Sequence, residues 1–487
     1  MTRTPVIGFE VHAQLATRTK IFCACPNAIG GEPNTRVCPV CLGLPGALPV
    51  LNERVLELGI IAALALDADV APRSFFARKS YFYPDLPKGY QITQNEAPLA
   101  LGGYLDVAST ERSFRVGLRQ LHIEEDAGKT THREGRDSLI DMNRCGVPLL
   151  EIVTRPDIRS VDDAVAFAEE IRRVLVYCGV TSGRMHEGSL RFDTNVSLAR
   201  PDGTPGVPCE VKNLNSFRSI RHALKSEIAR QSEALDAGGE VQHETLLWNE
   251  QAGEALPMRS KEESADYRYF REPDLPDVVL ADARIDELRG LLTELPAALR
   301  KRLRAQYGLT DEVAAVIAAD PRTPPYFETA AAELRALEPD AEGVPTLANW
   351  LIGPLRGLAH ERGVPLDAVL ESRVPPARLA ELVALRLAGR LTETGAKTLL
   401  EAAFDTAEEL GALVERLGLD RISDETRLSA VVASVLDEHP DELARLQRGE
   451  RKLVRFLVGQ VMARTHGNAD PRVVNELIEA AARGETP

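Results

Sequence analysis

Aromatic side chains make up only 5% of this 487-residue chain, and positive charge is outnumbered, with 58 Lys and Arg against 73 Asp and Glu for a formal net charge of −15. That deficit excludes a protein that coats nucleic acid along its whole surface, so any contact with nucleic acid must be local. There is no apolar run long enough to cross a bilayer and no basic-then-apolar segment at residues 1–4, so a cytoplasmic protein with no membrane partner is expected. All seven cysteines lie before residue 210. An odd number without an export signal argues for thiols or metal ligands and against a disulfide framework. No glutaminase or protease nucleophile stands out either. The serine of HEGSLR lacks the second glycine of a nucleophile elbow, and no cysteine sits beside a histidine base. A phosphate-binding loop is also missing, because the Gly-Lys-Thr that closes LHIEEDAGKT (121–130) requires a glycine at position 123, where the chain has Ile123.

The chain does have ample core material, with 44% apolar residues, and its length implies two to four domains of roughly 100–200 residues each. Residues 1–295 hold most of the aromatics and many short alternating apolar/polar runs bounded by Gly and Pro, which reads as a sheet-rich segment. From LTELPAALRKRLRAQYG onward, Ala, Leu, Glu and Arg recur at helical spacing, with breaks at 320–325, 362–365 and 373–376. A further boundary falls near residue 410, where LLEAAFDTAEEL gives way at Gly411. The expectation is an α+β protein in three segments: 1–295, 296–410 and 411–487.

Four runs alternate so strictly that, as strands, each has one polar face. In IGFEVHAQL (7–15), Ile7, Phe9, Val11 and Ala13 oppose Glu10, His12 and Gln14. SLRFDTNVS (189–197) sets Leu190, Phe192 and Val196 against Arg191, Asp193 and Asn195; LHIEED sets Leu121 and Ile123 against His122 and Glu124, with Glu125 at the strand end; PCEVKN (208–213) adds Glu210 and Lys212. One such face is ordinarily a solvated surface. Four of them carrying Glu10, His12, Glu124, Glu125, Asp193 and Glu210 instead suggest a concave sheet whose oxygen-rich donors, with one imidazole, suit Mg²⁺ or Mn²⁺. A carboxylate cluster beside phosphate-binding cations implies that metal holds the phosphate. Cations to clamp a triphosphate are Lys79, Arg191, Lys212, Arg259 and Lys261, with Arg78 and Lys88 as further candidates.

Cys23-x-Cys25 and Cys38-x-x-Cys41 flank a twelve-residue loop rich in Gly, Pro and Asn, a spacing that brings four thiolates within tetrahedral reach of a structural Zn²⁺. Cys145, Cys178 and Cys209 lack partners and read as core residues. Near the end of the chain the charge balance reverses: Arg445, Arg448, Arg451, Lys452, Arg455, Arg464 and Arg472 stand against Glu450 and Asp470. There Leu453, Phe456 and Leu457 are expected to pack, and Asp470-Pro471 to cap a final helix.

Taken together, IGFEVHAQL, NTRVCPVCLGLPGALPVLN, RKSYFYPDLPKGYQITQ, LHIEEDAGKT, DMNRCGVPLLEIV, EGSLRFDTNVS, EVKNLNSFRSIRHAL, MRSKEESADYRYFREPDLP and FLVGQVMARTHGNADP resemble the GatB family of aspartyl/glutamyl-tRNA amidotransferase subunits, in one order over nearly the whole chain. The resemblance implies a catalytic cradle similar to the glutamine synthetase and guanidino kinase fold, then a helical domain and a small helical tail that binds tRNA through Arg451, Lys452, Arg455 and Arg464. It implies ATP-dependent phosphorylation of the side-chain carboxylate of Glu on tRNA(Gln) or Asp on tRNA(Asn), followed by amidation. It carries Glu10, His12, Glu124, Glu125 and Glu210, with Asp193, into the Mg²⁺ and ATP site. The implied partners are an amidase subunit (GatA) that delivers ammonia, a small subunit (GatC), the misacylated tRNA and the mischarging aminoacyl-tRNA synthetase. The chain departs from the family pattern at His186, in place of an acid, at Phe192, in place of a cysteine, and at Arg155, in place of an acid. A reading from another class, a non-catalytic zinc-braced tRNA-binding subunit with solvated acidic faces, is separated from this one by whether Glu10, Glu124 and Glu210 converge.

Overall fold

The computed structural model describes residues 3–109, 112–131, 137–250, 252–257, 267–338, 343–422, 425–465 and 467–483. The chain divides into two compact units, Met1–Pro296 and Ala297–Pro487.

The first unit is built on a large sheet. Its principal strands are β1 (Pro5–Gln14), β2 (Ala77–Ser80), β3 (Tyr90–Thr93), β4 (Ser113–Glu125), β5 (Pro148–Thr154), β6 (Leu190–Leu198), β7 (Cys209–Leu214), β8 (Thr245–Asn249), β9 (Glu254–Pro257) and β10 (Phe270–Arg271). They lie in the order β9-β8-β7-β6-β1-β5-β4-β3-β2-β10. The sheet is antiparallel except where β7 and β8 run parallel. The cause is the connection. A 20-residue helix, α3 (Phe217–Asp236), joins the two strands, and only a crossover of that length lets neighbours run the same way.

The three long helices of this unit pack on one face of the sheet. The alternating apolar positions Ile7, Phe9, Val11, Leu121, Ile123, Leu150, Ile152, Leu190, Phe192 and Val196 are all buried in one continuous core. Helix α1 (Glu53–Ala65) enters that core where Gly59 meets Leu99 and Ile123, and α2 (Val161–Tyr177) enters where Phe167 stacks on Phe9 at 5.3 Å. Ser160 and Ser216 cap α2 and α3 by accepting from Asp163 N and Ser219 N, so both helices start at fixed positions over the sheet. Phe192 lies between Phe9 at 5.9 Å and Phe217 at 6.5 Å. Its departure from the family pattern is therefore a matter of core packing, each such ring contributing about 1.5–3 kcal/mol by burial. Because apolar residues occupy one parity of every central strand, the other parity is left for polar groups on the uncovered face.

The second unit is helical in all its described elements. The expected breaks coincide with helix ends: Pro324 and Pro325 lie in the first turn of Thr323–Leu337, Gly363 follows Arg356–Glu361, and Pro375 precedes Pro376–Leu387. Near the end of the chain, Leu428, Val432, Leu457, Val461, Val474 and Ile478 form their own buried cluster. No helix among the described residues is long and apolar enough to cross a membrane.

Candidate active site

Cross-strand register assembles the polar face. Pairing of β1 with β6 sets Glu10 opposite Asp193 and His12 opposite Arg191, while pairing of β1 with β5 sets His12 opposite Glu151. Pairing of β5 with β4 then sets Glu151 opposite His122. The row Arg191, His12, Glu151, His122 crosses four strands, with Asp193 and Glu10 in the next row. Glu151 Oε2 lies 3.4 Å from His12 Nε2 and 3.1 Å from His122 Nε2, and His122 Nε2 lies 3.8 Å from Glu124 Oε2. One ligand atom from each of His12, Glu124 and Glu151 falls within a mutual 4.8 Å. These three residues can hold a metal ion, and two carboxylates with one imidazole are donor types that a hard divalent cation accepts. Asn195 Nδ2 donates to Glu10 at 3.3 Å, and Thr245 Oγ1 donates to Glu210 at 3.0 Å. Lys212 Nζ stands 2.8 Å from Glu210 and 3.6 Å from Asp193.

Burial and neighbouring charge act on these groups in opposite senses. Burial, then the nearby Glu151 and Glu210, raise Glu10 against the pull of Lys212. Burial opposes the charging of His122, yet Glu151 and Glu124 outweigh it and push the imidazole up to about 10. Burial likewise acts to raise Glu151, but His122 and His12 hold it well below the carboxylate range. This face opens into a cleft of about 320 Å³ lined by His12, Tyr81, Glu124, Asp126, Arg191 and Lys212 among others.

Sequence reasoning missed Glu151. In PLLEIVT it is one acid amid five apolar residues, so the run reads as a buried strand. The available signal was parity, since Leu150 and Ile152 are buried and Glu151 must then face the other way.

Other expected residues are placed differently. Glu125 does not join Glu10, His12 and Glu124. It shares the parity of Ile123, accepts Ile92 N–H at 2.8 Å, pairs with Lys88, and lines a separate cavity of about 150 Å³ with Phe22 and Cys41. Arg78 is committed to Glu272 through two hydrogen bonds of 2.7 and 2.8 Å and stacks over Tyr90 at 4.3 Å. Lys79 shares the parity of Ala77, which lies opposite Thr93, and the Thr93 hydroxyl donates to Glu124 at 3.3 Å; Lys79 therefore belongs to the polar face. Arg191 donates to Asp126 at 2.9 Å. His186 is exposed, Glu187 pairs with Arg184, and neither joins the His12 cluster. Arg259 and Lys261 lie outside the described residues.

The cysteine spacing does gather its thiols: the sulfurs of Cys23, Cys25, Cys38 and Cys41 all lie within 4.8 Å of one another. Cys38 Sγ and Cys41 Sγ are 3.8 Å apart, the edge length of a tetrahedron with Zn–S bonds of ~2.3 Å. Cys38 N–H donates to Cys41 Sγ at 3.1 Å, and the buried Lys20 ammonium lies 3.8 Å from that sulfur. A hydrogen bond from Cys23 pulls Cys41 down to about 5, which favours a thiolate at the centre of the group. The cluster can hold a metal. Cys145 and Cys209 are buried and Cys178 is half-buried.

In the tail, Arg451, Lys452 and Arg455 are exposed, whereas Arg464 is tied to Glu438 at 2.6 Å and Ser434 at 2.9 Å. Leu457 is buried, but Phe456, expected to pack, is 40% exposed, its ring edge to face with that of His439 at 5.2 Å. Phe456 and Arg455 adjoin on the same outward arc of Leu453–Arg464, while Leu457 and Val461 fill the inward one. Asp470 caps Pro471–Ala482 by accepting from Arg472 N, as expected.

Residues 5–286 match the family model for the GatB/GatE catalytic domain, and residues 326–481 match that for the GatB domain. The chain is similar over its length to proteins named as the B subunit of aspartyl/glutamyl-tRNA(Asn/Gln) amidotransferase. The relative from Anaeromyxobacter dehalogenans is 46% identical over 97% of both chains, and that from Persephonella marina is 44% identical over 98% of both. The one from Thermoanaerobacter pseudethanolicus is 43% identical over 97% of this chain and 98% of its own. The chain belongs to the GatB family of tRNA-dependent amidotransferase subunits.

Proposed function

We propose that this protein is the kinase and transamidase subunit of a tRNA-dependent amidotransferase, acting on Glu-tRNA(Gln), Asp-tRNA(Asn) or both. The observation that carries the reading is the convergence of Glu10, His12, Glu124 and Glu151 on the open face, with Asp193, Glu210 and Lys212 beside them. Solvated acidic faces in a non-catalytic tRNA-binding subunit have no need of such convergence, and a nucleic-acid surface is weakened by it.

A carboxylate is a poor electrophile, because attack by ammonia would have to expel oxide. Transfer of the γ-phosphoryl group of ATP to the side-chain oxygen of the aminoacyl group, with departure of ADP, turns that oxygen into part of a phosphate leaving group. Ammonia then attacks the carbonyl carbon, phosphate departs, and the amide remains. His12, Glu124 and Glu151, with Glu10 nearby, would hold Mg²⁺, which when bound would supply positive charge to the phosphoryl group in transfer. Lys212, Arg191 and Lys79 orient and neutralise phosphate oxygens at the edges of the cleft. Ammonia comes from a partner amidase subunit (GatA), with a small third subunit (GatC) completing the assembly. Cys23, Cys25, Cys38 and Cys41 would hold a structural Zn²⁺, which would brace the loop that follows β1, the strand carrying Glu10 and His12.

The test uses the assembled complex. Glu10→Gln and Glu210→Gln are expected to abolish ATP-dependent amide formation on misacylated tRNA while glutamine hydrolysis by the partner persists. Near-normal amide formation by either variant would sink this assignment of the cleft.

A further inference from the structure

Lys20 is 0% exposed, and no other lysine or arginine among the described residues is fully buried. A buried ammonium is costly unless anions or polar acceptors surround it. This one has few. Its Nζ donates to Arg36 O at 2.7 Å and lies 3.8 Å from Cys41 Sγ, and no carboxylate of the described residues forms an ion pair with it. Glu125 stands across Gly146, where a side chain would meet Lys20 Cδ at 3.7 Å, Cys41 Cβ at 3.5 Å and Glu125 Oε2 at 3.9 Å, but Glu125 is paired with Lys88. The backbone fixes the lysine in this position: Lys20 N–H donates to Cys25 O at 3.0 Å and Ile21 N–H to Gly146 O at 2.9 Å.

Both groups that the ammonium approaches belong to the cysteine loop, since Arg36 lies between Cys25 and Cys38. The Arg36 carbonyl satisfies one N–H donor of the ammonium and neutralises no charge. With Cys23, Cys25, Cys38 and Cys41 as neutral thiols, Lys20 would therefore hold a buried charge with no counter-charge beside it. Four thiolates around a divalent ion do the opposite, leaving two negative charges in excess at the sulfurs. The lysine lacks an anion, and the loaded cysteine site lacks a cation.

We propose that Lys20 is the counter-charge of the four-thiolate metal site, offsetting one of those two negative charges and so raising the affinity of the loop for Zn²⁺. The inference rests on the zinc reading of the four cysteines and adds to it a residue that does not itself ligate the ion. Lys20 acts through Cys41, the sulfur it approaches, and favours the metal-bound thiolate electrostatically.

The experiment uses the full chain in its assembled complex, carrying Lys20→Met or Lys20→Gln. Methionine keeps most of the volume, and glutamine keeps an N–H donor without the charge. Zinc affinity is read by competition with a chromogenic chelator, and thermal unfolding is followed with zinc bound and after its removal. Loss of an outer partner of a metal ligand is expected to weaken zinc binding about 10–100-fold in both variants. In the cobalt-loaded protein the thiolate-to-metal charge-transfer band should move to longer wavelength, because the sulfur has lost a neighbouring positive charge. Stability should change sign with metal: the zinc-loaded Lys20→Met protein melts below wild type, whereas the metal-free variant melts at or above metal-free wild type, since a buried charge without its partner has been removed. Zinc affinity within twofold of wild type in both variants overturns the proposal. So does full recovery in Lys20→Gln of what Lys20→Met loses, or equal destabilisation with and without zinc, because either result makes Lys20 only a strap to the Arg36 carbonyl. Wild-type protein that binds neither zinc nor cobalt would instead remove the metal reading of the four cysteines, whatever the Lys20 variants do.

Discussion

Replacing Glu151 by glutamine removes one negative charge and leaves the side chain's shape and one acceptor oxygen in place. Two effects on the fold oppose each other. The charged carboxylate faces two imidazoles, at 3.1 and 3.4 Å. At an effective dielectric constant of about 20, each such contact is worth roughly 5 kcal/mol before desolvation if the imidazole is charged. The same carboxylate repels Glu10, whose protonation it favours, and that penalty vanishes in the variant. Burial of the carboxylate takes back much of that attraction and the imidazoles can discharge when their partner is neutral, so the net loss of stability is well below the Coulomb terms and the fold should survive. The chemistry has no such compensation. An anionic donor within 4.8 Å of His12 and Glu124 is lost from the cation site, and loss of one preorganised charge-stabilising group in a catalytic site ordinarily costs about 10²–10³ in rate. The assay is amide formation on misacylated tRNA across a magnesium titration, with glutamine hydrolysis by the partner and thermal unfolding measured on the same preparation. Expected are a loss of at least a hundredfold, partial recovery at high magnesium, and a Tm within a few degrees of wild type. Glu151→Asp, which retains the charge one methylene further back, should fall between the two. Activity of Glu151→Gln within twofold of wild type at every magnesium concentration would refute the assignment of this residue to the site.

Zinc analysis of freshly purified protein should give one equivalent per chain, and Cys38→Ser should lower both bound zinc and Tm without removing a group that touches substrate; protein purified without metal would refute the zinc assignment. In the tail, the triple variant Arg451→Gln, Lys452→Gln, Arg455→Gln should weaken tRNA binding and make its salt dependence shallower, because fewer counterions are released, whereas Arg464→Gln, already engaged with Glu438, should do less. Equal affinity and equal salt slope in the triple variant and the wild type would show that this arc is not the tRNA contact.

What the sequence disclosed depended on how local the determinant was. The β1, β6 and β7 strands were legible because period-2 alternation is written into consecutive residues, as Ile7, Phe9 and Val11 show against Glu10 and His12. The thiol cluster was legible because its members sit within nineteen positions, Cys23 to Cys41, and spacing alone limits their separation. Parity, applied strictly, would also have separated Glu125 from Glu124 and Arg78 from Lys79, since neighbours on a strand face opposite sides. Other features depended on partners remote in sequence: the Arg78 guanidinium on Glu272, Arg464 on Glu438, and the parallel approach of β8, which the crossover through α3 dictates. Glu151 stands between these cases. Its own strand reveals which way it faces, but only the register of β5 against both β1 and β4 shows that it meets His12 on one side and His122 on the other. A single strand can establish that an acid is turned away from the core. It takes the pairing of three to make that acid a shared partner of two imidazoles, and it is the pairing that distinguishes a cation site from a solvated face.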